Sequence, residues 1–289
     1  MAKDQWHYFV GDIHGCYDEY RQIEDKIFRH ANKHGVTPFI VSVGDLVDRG
    51  PDSAKVVEHF AKGSEAGTHV AVLGNHETFM LTVLWEFAPW DKSLGSLPVG
   101  MQTVEQKFEK GLGFARALPW EDYRNFTRCM WTGQGGMEAL ESFGCDPDEP
   151  DSWEIDPDLL SYMLKMPYHW ENDDYLVTHA TMSNEQFNDY LAFFPRQKGE
   201  DEETWELRLE IYQDLCNDLV WQRYIPEEPP DDKRIHLSGH TPVERVKLSH
   251  RGMIRQIDTA CVYGKRLTAW CGESNTYFRA SNSSGHWMG

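Results

Sequence analysis

The chain has 289 residues, 40% hydrophobic and 26% charged, enough to bury a full-sized core in one or two compact domains. Its formal net charge of -19, from 28 basic and 47 acidic residues with no Lys/Arg cluster, opposes a phosphate backbone and argues against nucleic acid as a partner. No apolar run of ~18 residues and no leader-like N-terminus is seen, so a soluble, cytoplasmic protein without a membrane partner is expected.

The first eighty residues repeat one pattern three times: a short apolar run, a polar turn opened by Gly-Asp or Gly-Asn, then a helical stretch. WHYFV leads into GDIHG and YDEYRQIEDKIFRHA, FIVSV into GDLVDRG and DSAKVVEHFAK, and THVAVL into GNHE and TFMLTVLWEF. Strand, loop and helix in alternation predict a mostly parallel α/β sheet with right-handed crossovers. Residues 89–170 read as an inserted helical region, with helical patterns at 103–110 and 136–143. DYLVTHA returns to strand character, and QKGEDEETWELRLEIYQDLCNDLVW reads as an acidic loop feeding a helix. From Arg234 onward, IHLSGHTP, VERVKLSHRGMIRQIDTA, KRLTAWCG and NTYFRA predict short strands of a second, more antiparallel sheet, and 281–289 read as a C-terminal tail after a single domain over 1–280. The six cysteines lie at 16, 129, 145, 216, 261 and 271 without a C-x-x-C pair, so free, buried thiols are expected.

Ligands of open α/β sheets gather outside the carboxyl ends of the strands, where the polar turns fall. Asp12 and His14 follow the first strand, Asp45 the second, Asn75 and His76 the third, while His179 and His240 end two later strands. Each of these types alone is more often a turn former or an ordinary histidine. Five strand ends that each finish in a ligand type flanked by Gly or Ala point instead to one metal site. Mixed imidazole, carboxylate and carboxamide donors suit Mn, Fe, Zn, Co or Ni better than all-oxygen Ca or Mg sites.

Read together and in order, GDIHG (11–15), GDLVDRGPDS (44–53), GNHE (74–77), THA (178–180) and GHTP (239–242) resemble the calcineurin-like metallophosphoesterases. More narrowly they resemble the bacterial and phage relatives of the serine/threonine phosphoprotein phosphatases. The resemblance implies a β-sandwich of two mixed sheets flanked by helices. It implies one metal held by Asp12, His14 and Asp45, a second by Asp45, Asn75, His179 and His240, and Asp45 bridging them at roughly 3.5–4 Å. Two ions, Mn²⁺ first among the candidates, would generate a bridging hydroxide that attacks phosphorus in line. Arg49 and Arg223 would hold phosphate oxygens. His76 would protonate the leaving oxygen, and Asp48 would fix its tautomer and favour the imidazolium. Pro51 and Asp52 read as turn residues that start a helix at Ser53.

Two substrate classes share such a site. The first is a phosphomonoester: phosphoserine, phosphothreonine or phosphotyrosine in a protein, or a small phosphorylated substrate. The alternative is the phosphoanhydride of a dinucleoside polyphosphate such as diadenosine tetraphosphate. GNHE, GHTP and the intact Asp48-Arg49 pair favour the first. Leu73, Ala180 and Thr181 depart from the eukaryotic pattern, Asp258, Thr259 and Ala260 stand where relatives often have Asp-Thr-Gly, and these changes alter the groove rather than the ligands. TGQGGMEALESFG (132–144) resembles a glycine-pair segment near the substrate cleft of bacterial members.

Overall fold

The computed structural model describes residues 4–89, 95–111, 117–282 and 285–287. Strand β1 (Gln5–Val10), helix α1 (Tyr17–His34), β2 (Thr37–Ser42), α2 (Ser53–Glu65), β3 (His69–Ala71) and α3 (Asn75–Phe87) form two successive parallel crossovers. Alternation along these strands explains the layering. Tyr8, Val10 and Ile40 join a core with Ile23 and Ile27 of α1 and Val56, Val57 and Phe60 of α2, whereas Phe9 and Val41 face a second sheet.

The helical region follows as α4 (Val104–Glu109), α5 (Trp120–Trp131), a π-helical turn at Thr132–Gly136, α6 (Met137–Ser142) and α7 (Pro157–Leu164). Strand β4 (His169–Glu171) already begins inside the span that the sequence assigns to the insertion. Then come β5 (Tyr175–Thr178), α8 (Asn184–Phe193), α9 (Glu202–Trp221), β6 (Ile235–Ser238), β7 (Lys247–Ser249), β8 (Ile254–Gln256), β9 (Arg266–Cys271) and β10 (Thr276–Ser281).

The two sheets run β10-β9-β1-β2-β3 and β4-β5-β6-β8-β7. Both are mixed, so the architecture is the expected α/β sandwich flanked by helices. The prediction for the C-terminal strands needs correction: β9 and β10 pair antiparallel beside β1 in the first sheet, while β5-β6 and β6-β8 are parallel. Hydrophobic patterning marks a strand but carries no information on its partner. Phe9, Val41, Val177, Leu237 and Trp270 interdigitate between the sheets.

The segment read as a tail also departs from expectation. Ser281 closes β10, and the His286 and Trp287 amides donate to the Val262 carbonyl at 2.9 and 3.1 Å while Trp287 packs on the core; residues 283, 284, 288 and 289 of that segment lie outside the described residues. All six cysteines are free, and Cys129 is exposed whereas the others are buried. Among the described residues no helix is long and apolar enough to cross a membrane.

Candidate metal centre

Parallel register brings the polar turns to one edge. Val10 pairs with Ser42 and Ser42 with Ala71, so the turns beginning at Gly11, Gly44 and Gly74 emerge side by side. Val177 pairs with Leu237 in the opposing sheet, which delivers His179 and His240 to the same edge. The backbone there is strained: His14, Asp45, Asp48, Arg49 and His240 have φ of 46°, 52°, 70°, 70° and 63°. Hydrogen bonds hold it. The Ile13 and His14 amides donate to the Asp45 carbonyl at 3.1 and 2.8 Å, and the fully buried Glu77 carboxylate accepts from the amides of Asp45, Leu46, Val47 and Gly74 at 3.0, 2.6, 3.2 and 2.8 Å.

Each predicted histidine ligand is oriented by a backbone carbonyl. His14 Nδ1 donates to the Val47 carbonyl at 2.9 Å, His179 Nδ1 to the Val43 carbonyl at 2.7 Å, and His240 Nε2 to the Trp221 carbonyl at 3.0 Å. The opposite ring nitrogens therefore present lone pairs to the interior. There they face other acceptors. Asp45 Oδ2 lies 3.4 Å from His14 Nε2 and 3.3 Å from His179 Nε2, and Asn75 Oδ1 lies 3.0 Å from His179 Nε2 and 2.8 Å from His240 Nδ1. Asp12 receives the His240 amide at 2.9 Å on Oδ2, whereas its buried Oδ1 has no partner. A β-carbon at Gly239 would come within 1.8 Å of that oxygen, which is why glycine precedes His240.

A second group adjoins these ligands. His76 Nδ1 donates to Asp48 Oδ2 at 2.7 Å, and the Trp131 indole donates to the same oxygen at 3.0 Å. Both Asp48 and Trp131 are fully buried, so tautomer and ring orientation of His76 are fixed from α5, far away in sequence. The His14 and His76 rings meet edge to face at 4.7 Å. Arg49 reaches His14 Nε2 with Nη1 at 2.8 Å, leaves its buried Nε without a partner, and lies 5.5 Å over the Tyr263 ring. The TGQGG turn, expected near the cleft, lies directly against this arginine. The Arg49 amide donates to the Gly135 carbonyl at 3.1 Å, and a β-carbon on Gly135, whose φ is 111°, would lie 2.4 Å from that amide nitrogen. Arg223 stands apart. It is exposed beyond the end of α9, near enough to His240 to influence its charge, with no hydrogen bond to the ligand group.

A family model described as calcineurin-like phosphoesterase matches residues 8–268. The chain belongs to the calcineurin-like phosphoesterase family. It is 27% identical to a symmetrical bis(5'-nucleosyl)-tetraphosphatase of Aeromonas salmonicida over 91% of this chain and 92% of the relative. It is 25% identical to the asymmetrical bis(5'-nucleosyl)-tetraphosphatase PrpE of Halalkalibacterium halodurans, over 90% of this chain and 87% of that one. A crystal structure assigned provisionally as a diadenosine tetraphosphatase shares the fold, with a TM-score of 0.53 at 17% identity over 99% of this chain and 100% of that chain.

The dinuclear metal centre of calcineurin-like phosphoesterases fits these residues. Lone pairs pointed at carboxylate and carboxamide oxygens repel unless a proton or a cation lies between them. Burial works against charge on His179, yet the Asp45 carboxylate outweighs it and holds the imidazole at about 9. Burial, with Arg49 beside it, keeps His14 well below the usual range, and burial takes His240 down to about 3, so both remain neutral donors. Burial raises Asp12, and burial with Asp45 nearby pushes Glu77 up to about 7. Asp258, buried next to this group, is pushed up to about 6 by burial. An excess of buried acid is what bound cations would relieve.

Glu77, Trp131 and Asp258 are absent from the sequence-derived set. Glu77 had a signal, the last letter of GNHE beside the strained turn. Trp131 had none, because only the packing of α5 brings it to Asp48.

Proposed function

We propose that the chain hydrolyses dinucleoside tetraphosphates at this centre. The observation that carries the reading is the likeness, along nearly the whole chain, to the two bis(5'-nucleosyl)-tetraphosphatases, combined with the adjoining clusters His14, Asp45 and His76 and Asp45, His179 and His240, each able to hold a metal ion. This reverses the preference that the motifs alone gave, in which phosphomonoesters of proteins came first. GNHE and GHTP describe the metal site that both chemistries need; substrate choice lies in the groove, where the motifs carry little information.

Asp12, His14 and Asp45 would hold one divalent cation, and Asp45, Asn75, His179 and His240 the other; Mn, Fe, Zn, Co and Ni suit this donor set. When bound, the pair supplies neutralisation of phosphoryl charge and activation of water. The chain's own residues have three tasks. Arg49, with its unpartnered Nε, presents a planar fork to two phosphoryl oxygens, and Arg223 at the rim meets the outer phosphates. His76 holds a proton for the departing bridging oxygen at Nε2, because Asp48 occupies Nδ1. Trp131 keeps Asp48 oriented. In the hydrolysis, water oxygen joins one phosphorus, the P–O–P bridge breaks, and its oxygen leaves on the departing nucleotide.

The buried Asp48-His76 pair favours a second reading, the phosphomonoester of a protein side chain. An alkoxide leaving group needs a positioned proton donor, whereas a nucleotide is a good leaving group without one. The test is product analysis with Mn²⁺-loaded protein. Two molecules of ADP, or ATP plus AMP, from diadenosine tetraphosphate support the proposal and identify the bond cleaved. Release of phosphate from a phosphothreonine peptide with the dinucleotide left intact would replace it by the second reading.

A further inference from the structure

Beside the metal centre, helices α3, α4, α5 and α9 border a half-open pocket of about 380 Å³ lined by Phe79, Lys107, Tyr123, Asp214, Asn217 and Trp221 among others. It begins where the ligands end. Phe79 stands one turn beyond Asn75 on α3, and the Trp221 ring lies edge-on to the His240 ring at 6.0 Å while the Trp221 carbonyl accepts from His240 at 3.0 Å. Phe79, Tyr123 and Trp221 are each only partly buried, so three aromatic rings remain accessible around one space. Cavities of this size accept a small organic ligand.

The polar lining is specific too. Asn217 is exposed, and its carboxamide has no hydrogen-bond partner among the described residues. Asp214 pairs with Lys110 at 3.3 Å, which leaves Lys107 as a partly buried cation with no ion pair among the described residues. Burial lowers Lys107 to about 8, so an anion beside it would restore the favourable charge that desolvation removes. Ordinary surface lysines and filled aromatic cores show neither feature.

We propose that this cavity binds a purine nucleoside of the substrate, with the base against Phe79, Tyr123 and Trp221, an edge on the Asn217 carboxamide, and the adjoining phosphate on Lys107. A nucleoside seated there runs its polyphosphate past Trp221 to the ligands. The inference rests on the dinucleotide reading for its substrate, but the pocket can be measured by itself.

Isothermal titration of the Mn²⁺-loaded protein compares ADP with inorganic pyrophosphate, which shares the phosphates and lacks the nucleoside. ADP should bind at least about tenfold tighter, the contribution expected of one stacked base. Tyr123→Ala should weaken ADP by about three- to tenfold, leave pyrophosphate unchanged, and raise KM for diadenosine tetraphosphate in parallel, whereas Lys107→Met, which removes a phosphate contact, should weaken both ligands. ADP no tighter than pyrophosphate, or equal losses for both ligands in Tyr123→Ala, overturns the pocket even if the dinucleotide is hydrolysed. A nucleoside preference that Tyr123→Ala abolishes, in a protein that leaves the dinucleotide intact, retains the pocket and removes the substrate reading instead.

Discussion

Replacing Glu77 by glutamine removes one acceptor oxygen without changing shape. In the native chain Oε2 accepts from the amides of Asp45 and Gly74, and Oε1 from those of Leu46 and Val47, with no other acceptor for these four donors among the described residues. Whichever way the carboxamide turns, its NH₂ faces two buried N–H groups. Two donors then lose their partner at about 1–3 kcal/mol each, giving a loss of about 2–6 kcal/mol. That is a large part of the ~5–15 kcal/mol that holds a typical domain. At about 2–4 °C per kcal/mol the midpoint should fall by roughly 5–20 °C. The damage should also be local, because the loop that loses its acceptor carries Asp45. Thermal and urea unfolding give the stability, and titration of chelator-stripped protein with Mn²⁺ gives the metal count. A midpoint within about 2 °C of wild type, with both metals still bound, would refute the assignment of Glu77 as the anchor of this turn.

Other outcomes follow from the same geometry. His76→Asn should slow hydrolysis of an alkyl phosphate by ~10²–10⁴ and of an aryl phosphate far less, and equal losses on the two would remove His76 from the proton-donor role. Trp131→Phe, which deletes one of two donors to Asp48 Oδ2, should cost about 10- to 150-fold on the alkyl substrate alone, since a hydrogen bond to a charged group is worth ~1.5–3 kcal/mol. Stripping the metals should abolish turnover, and Mn²⁺ at 100 times its dissociation constant should restore about 2.7 kcal/mol per site in unfolding experiments; no midpoint shift would contradict a preformed site. His69 supplies a pH test away from the centre. Burial lowers it from 6.5 to about 4, so the unfolded chain binds its proton first and stability falls as pH drops from about 6.5 towards 4, by up to about 3 kcal/mol. His69→Asn should flatten that limb in urea titrations at several pH values, and an unchanged slope would locate the acid sensitivity elsewhere.

Much of the site is local information. Short apolar runs ending in Gly-Asp or Gly-Asn, followed by helical periodicity, are enough to predict β1-α1-β2-α2-β3-α3, because parallel crossovers place every such turn at the same sheet edge. Asp12, His14, Asp45, Asn75, His76, His179 and His240 could therefore be named from spacing, and Pro51 and Asp52 do precede a helix beginning at Ser53. What spacing could not supply is partnership between distant segments. KRLTAWC and TYFRAS look like strands in any sheet, and only the packing of Trp270 against Phe9 and Tyr175 puts β9 beside β1. Trp131 reads as one apolar position on a helix until α5 delivers its indole to Asp48. Orientation was invisible too. The carbonyls of Val43, Val47 and Trp221 turn three imidazole lone pairs inward, and a backbone carbonyl has the same chemistry at every residue, so only its position in the folded chain gives it that role.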